Sequence, residues 1–113
     1  MINMLGKMSS VFHVMKEEHD RLEKAEELYL TKIAELPRGT PRIKRVNNSE
    51  YLYLNRREGT KVVDEYIGRA DSEKAHEVLE LIKKRDKLIA QLKQVRAQLK
   101  EVKAVLRGKY ERF

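Results

Sequence analysis

The stretch Glu50–Gly68, EYLYLNRREGTKVVDEYIG, decides the fold. β-Branched and aromatic residues fill Glu50–Arg57 and Thr60–Ile67, and Glu58-Gly59 between them supplies a tight turn. Upstream, Ile43 and Val46 flank basic residues, and Asn47-Asn48 tolerates the left-handed conformations of another hairpin turn. Together these segments predict a three-stranded antiparallel meander over residues 42–67.

A two-residue turn at Glu58-Gly59 pairs Leu54 with Val63, Tyr53 with Asp64 and Tyr51 with Tyr66. A turn at Asn47-Asn48 pairs Ile43 with Leu52, Lys44 with Tyr51 and Arg45 with Glu50. One face then carries Ile43, Leu52, Leu54, Val63 and Ile67, and the other carries Arg42, Lys44, Tyr51, Tyr53, Val62 and Tyr66. Antiparallel sheets commonly pack one face and leave the other wet, so the aliphatic face is expected to be the packed one. A slip of one residue would exchange the two faces.

Outward from the sheet, Pro37-Arg38-Gly39-Thr40-Pro41 reads as a linker. Before it, Phe12, Met15, Leu22, Ala25, Tyr29, Ile33 and Leu36 recur at three- and four-residue steps, interrupted by Glu18. This predicts a helix over 9–36, capped by Ser9 or Ser10 after a frayed lead-in and stopped by Pro37. Its many acids, Glu17, Glu23 and Glu27 among them, form a solvated face.

After the sheet, Asp71 or Ser72 caps a second helix expected over 72–107, with Gly108 as its stop. Val78, Leu81, Leu88, Leu92, Val95, Leu99, Val102 and Leu106 keep a coiled-coil seam that only Arg85 breaks. Those eight residues are the expected self-association surface, with a dimer favoured. Ala75, Leu79, Ile82 and Ile89 widen the stripe, which marks where the sheet or the first helix packs. The expected fold class is α+β: long helix, three-stranded antiparallel meander, long coiled-coil helix. At 113 residues the chain is read as a single domain.

A charged fraction of 38% against 41% hydrophobic residues suits long helices with a narrow seam better than one large core. The net charge of +7 suits a polyanionic partner. Cysteine is absent, which removes disulfides, thiolate metal sites and cysteine nucleophiles. No apolar run approaches the roughly 20 residues that cross a bilayer, and Met1–Ser10 lacks a signal-peptide core, so no membrane partner is expected and the cytoplasm is the expected compartment.

Two constellations carry chemistry. Lys93, Arg96, Lys100, Lys103 and Arg107 recur at three and four along the second helix. A stripe of one sign can follow a phosphate backbone by releasing its counterions; the plainer reading is pairing with the acidic first helix. Tyr51, Tyr53 and Tyr66 with Arg42, Lys44, Arg56, Arg57 and Lys61 form the other. Sheet aromatics stack bases while arginines hold phosphates, and basic sheets also enter DNA grooves; the plainer reading is cross-strand packing of good strand formers. His13, His19 and His76 lack metal-ligand spacing, and the separated glycines make no phosphate loop. No metal, cofactor or catalytic residue is expected.

At Tyr51-Leu52-Tyr53-Leu54, Arg57-Glu58-Gly59-Thr60-Lys61-Val62 and Glu65-Tyr66-Ile67-Gly68 the chain resembles short, uncharacterised prokaryotic proteins. Those proteins share a YYYL…REGGKV…YIG hairpin followed by a charged coiled coil, and similar hairpins occur in some transposases and mobile-element proteins. The resemblance covers about residues 36–107, with Thr60 where a second glycine is common. It implies a prokaryotic mobile-element or defence setting and no established chemistry.

The expected function is that of a non-catalytic nucleic-acid-binding accessory protein, with DNA favoured over RNA. The runner-up is a protein-interaction module, such as an adaptor, an antitoxin-like partner or an inhibitor of a nucleic-acid enzyme. A chaperone-like coiled coil with a β assembly element stands third.

Overall fold

The computed structural model describes residues 4–111, and their side chains over 10–108. The element order is α1 (Met4–Ala34), β1 (Thr40–Val46), β2 (Ser49–Glu58), β3 (Lys61–Arg69) and α2 (Glu73–Glu111). The α+β architecture expected from the sequence is therefore present. The chain divides into two compact units, one of Met1–Lys32 with Leu88–Phe113 and one of Ile33–Lys87.

In the unit of Ile33–Lys87, the strands form one antiparallel sheet in the order β1-β2-β3. The β1–β2 register is the expected one, with Ile43 opposite Leu52, Lys44 opposite Tyr51 and Arg45 opposite Glu50. Asn47 and Asn48 make this turn at φ of 52° and 66°, the left-handed pair a type I′ hairpin needs.

The β2–β3 pairing departs from expectation. Glu58 lies opposite Lys61, so the turn residues are Gly59-Thr60, and Gly59 carries a φ of 62°. Tyr53 faces Tyr66, Leu54 faces Glu65, and Tyr51 faces Arg69 across a bulge beside Leu52 and Tyr53. Glycine at the first turn position takes the positive φ without strain, which Glu58 would not. Between the bulge and the turn the shift is two residues, so both strand faces survive there; beyond the bulge, at Tyr51, it is three, with the extra residue taken up by the bulge.

Leu52, Leu54 and Ile67 are buried against Ala75 and Ile82 of α2, with Val78 and Leu79 half-buried beside them. The widened start of the second helix is thus what covers the sheet. Ile43, expected on that face, is 51% exposed, because the buried cluster lies on β2 and β3 and leaves β1 outside. Ser72 caps α2, accepting a hydrogen bond from the Ala75 amide at 3.2 Å. Arg85, the break in the repeat, donates to the carbonyls of Pro37 at 2.9 Å and Gly39 at 2.8 Å. A cation at this seam position satisfies two linker carbonyls that no strand or helix uses.

In the other unit, Leu22 of α1 and Leu92 and Leu99 of α2 are buried. Arg96 Nε of α2 donates to Glu26 Oε2 of α1 at 2.9 Å. α1 begins at Met4, ahead of Ser9 and Ser10, and ends at Ala34 three residues before Pro37. α2 runs through Gly108 to Glu111, since glycine weakens a helix without obliging it to stop.

Candidate nucleic-acid interface

Strand alternation sets the first candidate surface. Arg42 lies opposite Tyr53 and Lys44 opposite Tyr51, while Tyr53 lies opposite Tyr66 and Arg57 opposite Val62. These residues share one face of the sheet. The Tyr66 ring stands 5.4 Å from Tyr53 and 6.2 Å from Tyr51, centroid to centroid, at interplanar angles of 61° and 50°. Lys44 Nζ sits 4.4 Å above the Tyr53 ring, within cation–π range. Tyr66 is 54% exposed and Val62 62% exposed, so the face is open to solvent.

Sequence reasoning passes over one member of this face. Asp64 accepts from Lys44 Nζ at 2.8 Å and from Asn55 Nδ2 at 2.7 Å. The Lys44 hydrogen bond first, and the Asn55 bond second, hold its carboxyl below the usual aspartate range. Lys44 is thereby committed to Asp64, while Arg42 and Arg57 are exposed with no ion pair among the described residues. The alternation that gathers the tyrosines is also the signal for Asp64.

Two expected members of the site fall elsewhere. Arg56 lies on the opposite face from Tyr53 and Arg57, where it donates to Glu58 at 2.8 Å and Glu65 at 2.6 Å. Lys61 shares that opposite side, paired with Glu58 at the turn. Arg56 and Lys61 are near Arg57 in sequence, but the two-residue period turns both away from the tyrosines.

The second candidate surface lies in the unit of α1 and the end of α2. Glu26, Arg96, Leu99, Lys100, Lys103 and Arg107 line a recess of about 310 Å³. Arg96 meets Glu26, as pairing with the acidic helix requires. Lys93, Lys100, Lys103 and Arg107 are exposed and make no ion pair among the described residues. Within α1, Glu18 pairs with Arg21 at 2.9 Å and Glu23 with His19 at 3.4 Å. Pairing with α1 thus accounts for one cation of five.

The expected association seam finds cover within one chain along part of its length. Leu92 and Leu99 are buried, and Leu88, Val95, Val102 and Leu106 are half-buried. In the sheet unit Val78 is half-buried and Leu81 is 40% exposed. His19, Asp20 and Glu23 bring ligand atoms within 4.8 Å of one another, but both carboxylates are exposed and already face the imidazole. Among the described residues no helix is long and apolar enough to cross a membrane.

The sequence model of the DUF6788 family, a domain of unknown function, matches residues 15–77, more than half of the chain. The chain belongs to this family. The DUF6788 match takes in most of α1, the whole sheet and the first turn of α2. It is wider at the α1 side than the hairpin resemblance, and it stops well before Lys93. The tyrosine face therefore lies inside the DUF6788 segment and the cationic recess draws mainly on residues beyond it. No curated protein and no solved structure matches the chain.

Proposed function

We propose that this DUF6788 protein is a non-catalytic nucleic-acid-binding accessory protein that holds phosphates with the cations of α2. The observation that carries this reading is the group Lys100, Lys103 and Arg107, which share one recess and have no ion pair among the described residues. From Lys93 to Arg107 the stripe rises about 21 Å at 1.5 Å per residue, the axial length of about six base pairs at 3.4 Å each. Unpaired cations at that spacing gain free energy by releasing counterions from a polyphosphate, which paired ones do not. The net charge of +7 favours approach of the same partners. The hairpin's likeness to those of mobile-element proteins supports a setting in a mobile element or a defence system.

Anisotropy titrations of labelled DNA and RNA at low salt test this. Replacing Lys100, Lys103 and Arg107 together by Gln should weaken binding at least tenfold, since each phosphate contact removed lowers affinity. Absence of binding by the parent protein, together with co-purification of one specific protein, would instead support the interaction-module reading.

A further inference from the structure

We infer that the tyrosine face of the sheet takes the unpaired bases of a single strand, and does not enter a duplex groove. The inference rests on the nucleic-acid reading above and specifies the form of ligand.

Three aromatic rings are gathered on one open face, with Tyr66 in contact with both Tyr51 and Tyr53. Those two are half-buried, while Tyr66 is 54% exposed. Both of those rings stand on β2, so they support Tyr66 from the β2 side and leave its other side to the solvent. A held aromatic ring is what a base needs: stacking requires a π-face and no hydrogen-bond code, so any unpaired base fits. Val62 beside it, 62% exposed, continues the apolar surface.

The cations are placed for a backbone at the margin of this platform. Arg42 lies on β1 opposite Tyr53, and Arg57 lies at the turn end of β2 opposite Val62. Both are exposed and make no ion pair among the described residues; the Arg42 charge is felt by Asp64 without a hydrogen bond, so both heads can meet phosphates. Lys44 cannot serve equally, since Asp64 already holds it. The Lys44–Asp64 pair offers phosphate no net charge, which leaves Arg42 and Arg57 as the cations of this face for a backbone.

A duplex fits the same face poorly. The major groove is about 12 Å wide and admits a helix or a two-stranded ribbon. Three strands at about 4.8 Å spacing already span about 10 Å between outer backbones, before any backbone thickness or side chain is added. The side chains available for base edges at the centre would be phenols and a carboxylate engaged by Lys44 and Asn55. In a duplex the base faces are stacked on one another and unavailable to Tyr66.

The test uses the full chain with fluorescein-labelled oligothymidine, oligouridine and a duplex of equal length. Single strands should bind about tenfold tighter than the duplex at equal salt, through the stacking that only they offer. Tyr66→Leu should weaken single-strand binding by about tenfold, and Tyr66→Phe should restore it. Tryptophan is absent, so the protein's own emission comes from its five tyrosines and should be quenched by the single strand. Preference for the thymidine or the uridine strand distinguishes DNA from RNA as the source, and either supports the inference. Unchanged single-strand affinity in Tyr66→Leu, or an equal loss of duplex affinity in that variant, would overturn it and leave phosphate binding on α2 standing. Failure of every oligonucleotide to bind would end both.

Discussion

Replacing Arg85 by leucine completes the apolar repeat of α2 and should nevertheless destabilise the protein. The guanidinium donates to Pro37 and Gly39 carbonyls at 2.9 and 2.8 Å, and the side chain is only 15% exposed. Pro37 and Gly39 are themselves half-buried, so water reaches their carbonyls incompletely. Hydrogen bonds to charged groups contribute about 1.5–3 kcal/mol each, and partial exposure argues for the low end, about 3 kcal/mol for the two. Leucine at a seam position this well covered returns about 1.5 kcal/mol through apolar burial. The net loss is about 1.5 kcal/mol, or about 7 °C in the thermal midpoint for a chain of this size. Helix ellipticity followed through thermal and urea unfolding measures both quantities. Arg85→Lys, which keeps donors on a different head, should lose less. A leucine variant as stable as the parent, or more so, would refute the anchoring role and return position 85 to the coiled-coil pattern.

Two glycines should respond to alanine with opposite sign. Gly39→Ala forces a side chain at φ +114° to within 3.0 Å of the Asn55 carbonyl oxygen and should cost about 1–3 kcal/mol by urea unfolding. Gly108→Ala meets nothing within 4 Å in a helix and should stabilise by up to about 1 kcal/mol. Acid should loosen the sheet through Asp64. Its carboxyl titrates below the ordinary value because Lys44 and Asn55 bind the charged form, so its stabilisation is present above about pH 4 and is lost as the pH falls through its folded value. Asp64→Asn should make the urea midpoint fall less between neutral pH and about pH 3, and an unchanged fall would contradict the assignment.

How much of this fold is legible in the sequence depends on how local each determinant is. The Asn47-Asn48 turn fixes β1 against β2, because two adjacent left-handed residues leave little freedom in register. Glu58-Gly59-Thr60 admits two placements of a two-residue turn, and the glycine decides between them by taking the first turn position. That ambiguity, with the bulge beside Tyr53, displaces every expected β2–β3 partner. The tyrosine face survives, since a slip of two preserves the alternation. Arg56 and Lys61 do not survive as members of it, because adjacency to Arg57 says nothing about the side of the sheet. The exposure of Ile43 was not legible, since it depends on which strands α2 covers. The role of Arg85 depends on linker carbonyls forty-odd residues earlier in the chain, and no periodicity in α2 encodes them. The recess cations were legible as a stripe; that only Arg96 is neutralised by α1 needed the structure.

Whether α2 grips a phosphate backbone is decided by the salt dependence of oligothymidine binding. Plotting log K against log salt concentration should give a straight line of negative slope, and the Gln substitutions at Lys100, Lys103 and Arg107 should reduce that slope by about 2, at about 0.7 per phosphate contact on a single strand. A parent protein that does not bind at low salt, or a slope the three substitutions leave unchanged, would contradict that grip.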